Sequence, residues 1–71
     1  MTIKTRYIPS TLTKSARIQA RAYGRSKTLT YNTHLDMLGN HLSAAKALAE
    51  KEGLTVRGIT RNEKGFVFTA L

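Results

Sequence analysis

Residues 15–23, Ser15-Ala16-Arg17-Ile18-Gln19-Ala20-Arg21-Ala22-Tyr23, decide the fold class, because apolar and polar side chains alternate along them. Ala16, Ile18, Ala20 and Ala22 fall on one side, and Arg17, Gln19, Arg21 and Tyr23 on the other. Side chains of an extended chain leave on opposite faces in turn, so a period of two marks a strand with one dry and one wet face. The dry face is built of small residues and lets a helix lie close against it. The wet face carries two arginines, a glutamine and a tyrosine.

Outward from this strand, Gly24 supplies turn chemistry, and Lys27–Tyr31 reads as a second strand with Leu29 and Tyr31 on one face. Together they predict a hairpin. From about Asp36 to Glu52 the period changes to three and four: Leu38, Leu42, Ala45, Leu48 and Ala49 form one apolar stripe, and the alanines favour a helix. Asp36 is the expected N-cap or first-turn acid, and Gly53 the left-handed stop. Gly39 weakens the first turn, so a start near Asn40 is the alternative. Leu54–Arg61 reads as a third strand, with Gly58 marking a bulge that switches the facing of Ile59. Asn62-Glu63-Lys64-Gly65 is a turn, and Phe66–Ala70 a last strand with Phe66 and Phe68 inward. Residues 1–14 show no helical period. Pro9 has no amide hydrogen and biases Ile8 toward an extended conformation, so this stretch reads as an extended basic arm.

The expected fold is therefore α+β: a small, mostly antiparallel sheet in the order strand-strand-helix-strand-strand over residues 15–71. One helix covers one face, and the arm of residues 1–14 precedes it. With 71 residues the chain makes one thin-cored domain, and it has no cysteine to staple it. No run approaches the roughly 18 apolar residues of a membrane helix, and the first residues lead into no apolar signal segment.

Twelve Lys and Arg oppose four Asp and Glu, for a net charge of +8. The distribution is more telling than the sum. Lys4, Arg6, Lys14, Arg17, Arg21, Arg25 and Lys27 all precede the first acid, Asp36. Such a one-sided field attracts an anionic surface, either nucleic acid or an acidic patch on a protein.

Catalytic chemistry finds no constellation here. His34 and His41 are seven residues apart, two helical turns if both are helical, too far to share a metal; no cysteine or carboxylate pair completes a zinc set. His41 is expected instead to hydrogen-bond the strand or loop it packs on. Glu50 and Glu52 diverge on a helix, no nucleophile elbow is present, and the five glycines are scattered rather than gathered into a phosphate loop. The chain is read as a binding protein, not an enzyme, with no cofactor and no metal.

Thr5, Tyr7, Pro9, Thr11, Thr13, Arg17, Ile18 and Ala20 form a T-x-Y-x-P-x-T-x-T-x-x-x-R-I-x-A opening. Tyr31, Leu35, Asn40-His41, Ala44-Ala45, Gly53, Gly65 and Val67-Phe68 continue a pattern that resembles a family of small phage- and prophage-encoded accessory proteins. The size and charge are also similar to those of a small phage regulator that binds host RNA polymerase. These resemblances imply a host-takeover role in the bacterial cytoplasm, through transcription inhibition or antitermination. The alternatives are direct, non-sequence-specific DNA or RNA binding, and inhibition of a host defence protein. The expected partner-binding residues are Lys4, Arg6, Tyr7, Lys14, Arg17, Gln19, Arg21, Tyr23 and Arg25, on the arm and on the wet face of the first hairpin.

Overall fold

The computed structural model describes residues 1–63 and 65–71. Five strands and one helix follow in the order β1 (Thr2–Ile8), β2 (Arg17–Ala22), β3 (Arg25–Thr30), α1 (Met37–Lys51), β4 (Val56–Arg61) and β5 (Gly65–Ala70). The strands form one open sheet in the order β3-β2-β1-β5-β4, and every neighbouring pair is antiparallel. The class is α+β, with the helix packed on one face.

Residues 2–8 correct the expectation of an arm. They are extended, but they form the central strand, paired with β2 on one side and with β5 on the other. The alternation is there once the partners are known: Ile3 and Thr5 are buried while Thr2, Lys4 and Arg6 are exposed. Pro9 stands just past the strand end, where its missing amide costs no ladder bond. The irregular stretch is confined to the β1–β2 connection, where Thr11 N–H donates to Lys14 O (2.8 Å).

The hairpin β2–β3 forms as its sequence requires, with Gly24 at φ +70° in the turn. Ile18 and Ala20 are fully buried, and α1 lies over them, burying Ala44, Ala45, Leu48 and Ala49. These alanines bring the helix close, and the larger core side chains Ile3, Ile18, Leu48 and Phe68 fill what remains. Each such burial contributes about 1.5–3 kcal/mol.

The buried stripe of α1 also contains Asn40 and His41, while Leu38 is largely exposed, so the helix is rotated from the purely apolar stripe. Polar partners on the sheet and loop are the reason. The helix begins at Met37: the Asp36 carboxylate accepts from Gly39 N–H at 2.7 Å. A Cβ at Gly39 would stand 2.9 Å from that carboxylate oxygen, so the glycine that weakens helix propensity leaves room for the carboxylate where it lies. Gly53 (φ +73°) ends the helix as expected.

The register of β4 shifts between Val56 and Gly58, and past that bulge Ile59 pairs with Phe68 on the helix side of the sheet. Gly58 thus switches the facing of Ile59. The turn expected at Asn62–Gly65 includes Lys64, which lies outside the described residues. Across it Asn62 N–H donates to Gly65 O (2.9 Å) and Gly65 N–H to the Asn62 side chain (2.8 Å).

Candidate binding face

Register fixes which side chains share the face away from the helix, because directly opposed residues point the same way. Lys4 stands opposite Arg21, Arg6 opposite Gln19, and Ile8 opposite Arg17. On the other side of β1, Thr2 meets Thr69 and Lys4 meets Val67; on the far side of β2, Thr30, Thr28 and Ser26 oppose Arg17, Gln19 and Arg21. The open face therefore gathers Lys4, Arg6, Arg17 and Arg21 on two neighbouring central strands, flanked by hydroxyls. Neighbouring strands are about 4.8 Å apart, and Arg17 and Arg21 about 13 Å apart along β2.

Among the described residues no acid lies on a strand. Asp36 caps α1, Glu50 is on the exposed side of the helix, Glu52 follows it, and Glu63 sits in the β4–β5 connection. The positive field of the face is thus uncompensated by strand carboxylates. Arg6 Nε donates to Gln19 Oε1 at 3.0 Å, a cross-strand bond that holds the guanidinium over the sheet. Arg17 is half-buried, and its Nε is shielded from solvent without a hydrogen-bond partner among the described residues. A shallow groove of about 640 Å³ runs along β1, lined by Thr2, Lys4, Arg6, Arg21, Tyr23 and Asn62.

Of the residues expected to bind, Lys4, Arg6, Arg17, Gln19 and Arg21 are brought together, and Tyr23 stands at the rim in the β2–β3 turn, 98% exposed. Three others are elsewhere. Tyr7 shares the helix side with Thr5 and meets Tyr31 edge to face, ring centroids 5.6 Å apart. Arg25 pairs with Glu52, Nε to Oε1 at 2.6 Å, and is drawn toward the helix end. Lys14 is exposed in the β1–β2 connection, beyond the sheet. Sequence reasoning missed Val67 and Ile8, the half-buried apolar members of the face. Ile8 emerges from the pairing of β1 with β2, and Val67 from that of β1 with β5, a contact between the two ends of the chain.

The other concentrated polar chemistry lies on the opposite side. His41 is 1% exposed, and its Nδ1 is 2.6 Å from Thr5 Oγ1, as expected of a histidine packed on a strand. The ring meets Phe66 edge to face (4.8 Å between centroids), and Nε2 has no partner among the described residues. Burial lowers the His41 pKa from the ordinary 6.5, because the charged ring would lose water. Among the described residues no group of three or more His, Cys, Asp or Glu side chains is placed to hold a metal ion. No helix among them is long and apolar enough to cross a membrane. The chain matches no protein-family model, no curated protein and no solved structure.

Proposed function

We propose that this protein is a non-catalytic binding module that docks the open face of its sheet onto an acidic surface of a host protein. The observation that supports this most directly is the clustering of Lys4, Arg6, Arg17 and Arg21 on a face without acids, interleaved with Ile8 and Val67. Guanidinium groups beside apolar contact area are the composition of protein interfaces, where arginine pairs bidentately with carboxylates. The similarity in size and charge to a small phage regulator that binds host RNA polymerase makes that enzyme the first partner to test, with inhibition or antitermination as the consequence of occupying an acidic surface.

A second reading has its own support. Ser26, Thr28 and Thr30 add a row of hydroxyls beside the arginines, and hydroxyls with cations suit phosphate contacts. The face offers no stacking ring except Tyr23 at its rim, so such binding would follow backbone charge with little base preference.

Lys4→Glu combined with Arg21→Glu tests the face. Both positions are exposed, and such substitutions cost about 0.5 kcal/mol or less. The double variant is expected to stay folded by circular dichroism and to lose binding to purified RNA polymerase. Undiminished binding refutes the face as the interface. Retardation of bare DNA, falling steeply with salt, favours the nucleic-acid reading.

A further inference from the structure

The sheet has a second surface suited to recognition, its β3 edge. Tyr31 N–H donates to Ala16 O at 2.9 Å, and the antiparallel alternation continues through the pairs Ile18–Leu29, Ala20–Lys27 and Ala22–Arg25. Leu29, Lys27 and Arg25 therefore turn their backbone groups to β2, and Ser26, Thr28 and Thr30 turn theirs to the open edge. The opposite edge, β4, is interrupted by its bulge. By contrast β3 pairs with β2 over six successive residues without a register shift, contains no proline, and is exposed at every position but Leu29. Natural sheets guard regular edges with charge, proline or bulges. Here Arg25 is neutralised by Glu52, which leaves Lys27 as the guard.

What lies beside this edge indicates what it accepts. On the helix side, Ile18, Leu29 and Leu35, with the polar Thr30, Asn32 and Ser43, line a crevice of about 290 Å³ between β3 and α1. It opens next to Leu29, and Lys27 projects on the same side two residues away. A strand laid along β3 would therefore place one side chain against the Ile18, Leu29 and Leu35 wall of this crevice and the next one on that face against an ammonium group. Its intervening residues would lie by Thr28, one strand from Arg17 and Arg21.

We propose that the β3 edge is a strand-addition site for an extended acidic–apolar segment of the partner, with the order apolar-x-acid when it runs antiparallel to β3. Main-chain bonds to Ser26, Thr28 and Thr30 supply the affinity, while the crevice and Lys27 supply the selectivity. Charge selects the occupant: a second copy brings another +8 to the interface, whereas an acidic segment complements it. The inference rests on the partner being a protein, but its readout is independent of the open face.

The probe is the peptide acetyl-Thr-Val-Thr-Glu-Thr-Glu-amide, titrated into the full ¹⁵N-labelled chain. At ten times its Kd, amide exchange at Ser26, Thr28 and Thr30 is expected to slow about tenfold, with the Leu29 methyls shifted. Replacing both glutamates of the peptide by lysine is expected to weaken binding, and Lys27→Glu in the protein to reverse that preference. Thr28→Pro removes only an edge N–H, so it should stay folded and fail to bind. Shifts at Lys4, Arg6 and Arg21 without protection of the three edge amides would overturn the edge proposal and leave the face reading standing. So would edge protection that rises with protein concentration alone, which would assign the edge to a second copy. Absence of any change at millimolar peptide overturns it as well.

Discussion

Thr5→Val probes the polar contact that pins the helix to the central strand, and its outcome can be worked from the hydrogens available. Thr5 Oγ1 lies 2.6 Å from His41 Nδ1 and donates to Phe66 O at 3.3 Å. The hydroxyl has one proton. If it goes to Phe66 O, then Nδ1–H of His41 donates to the hydroxyl oxygen, and the unpartnered Nε2 is a bare acceptor. The other tautomer would bury an N–H at Nε2 with nothing among the described residues to receive it, the costlier arrangement. Valine keeps the shape of threonine and removes the acceptor, so Nδ1–H is left unsatisfied beside a ring that is 1% exposed. The expected loss is about 1–3 kcal/mol at neutral pH, out of a total stability of roughly 4–10 kcal/mol by per-residue scaling. Urea denaturation followed by far-UV circular dichroism at pH 7.5 measures it. The same contact has a pH signature. Because burial lowers the His41 pKa, the unfolded chain binds the proton that the folded chain resists. The stability is complete above about pH 6.5 and falls as pH drops below it, by at most about 1.4 kcal/mol per pH unit for this one group. His41→Phe, with no proton to bind, is expected to flatten that slope. A Thr5→Val stability within about 0.5 kcal/mol of the unsubstituted chain, the range of an ordinary surface substitution, would refute the reasoning. So would an Nε2–H tautomer seen by NMR.

Two further outcomes follow from the same framework. Asn40 is buried and clamps the β3–α1 connection: its Oδ1 accepts from Asn32 N–H (2.7 Å), and its Nδ2 donates to Asn32 O and Asp36 O (2.9 Å each). Asn40→Ala is expected to cost about 2–3 kcal/mol in urea melts, and an unchanged midpoint would show that the loop does not depend on the clamp. Deleting residues 1–6 removes most of the central strand and should abolish the cooperative transition, whereas a removable arm would leave it intact.

The elements themselves were largely legible. The alternation of Ala16–Tyr23, the capped alanine-rich segment, the glycine at 53 and the bulge at Gly58 each announce themselves within a few residues, because the signals are local. The basic face was half legible. Arg17, Gln19 and Arg21 follow from the period of one strand, but their alignment with Lys4 and Arg6 needs the β1–β2 register. The first residues misled for a specific reason. The buried position 5 is a threonine, so the alternation of Ile3, Thr5 and Tyr7 carries a weak apolar signal, and His41, 36 residues away, together with the Phe66 carbonyl makes that threonine acceptable in the interior. Likewise Asn40 and His41 look like misplaced polar residues on an apolar stripe until the loop and strand that satisfy them are in place.

By itself, then, the sequence determined which segments beyond residue 14 are strand or helix, where the helix stops, and that the excess charge lies in the first 27 residues, since each depends on neighbours along the chain. The tertiary structure decided that residues 2–8 are the centre of the sheet rather than its appendage, joining β2 to β5 across opposite ends of the chain. It also decided which cations stand together, sending Arg25 to Glu52 and Tyr7 to the helix side while Lys4 and Arg6 joined Arg17 and Arg21. The physical reason is pairing: a strand's own alternation splits its side chains between two faces, but only the backbone register with its neighbours determines whose side chains it stands beside.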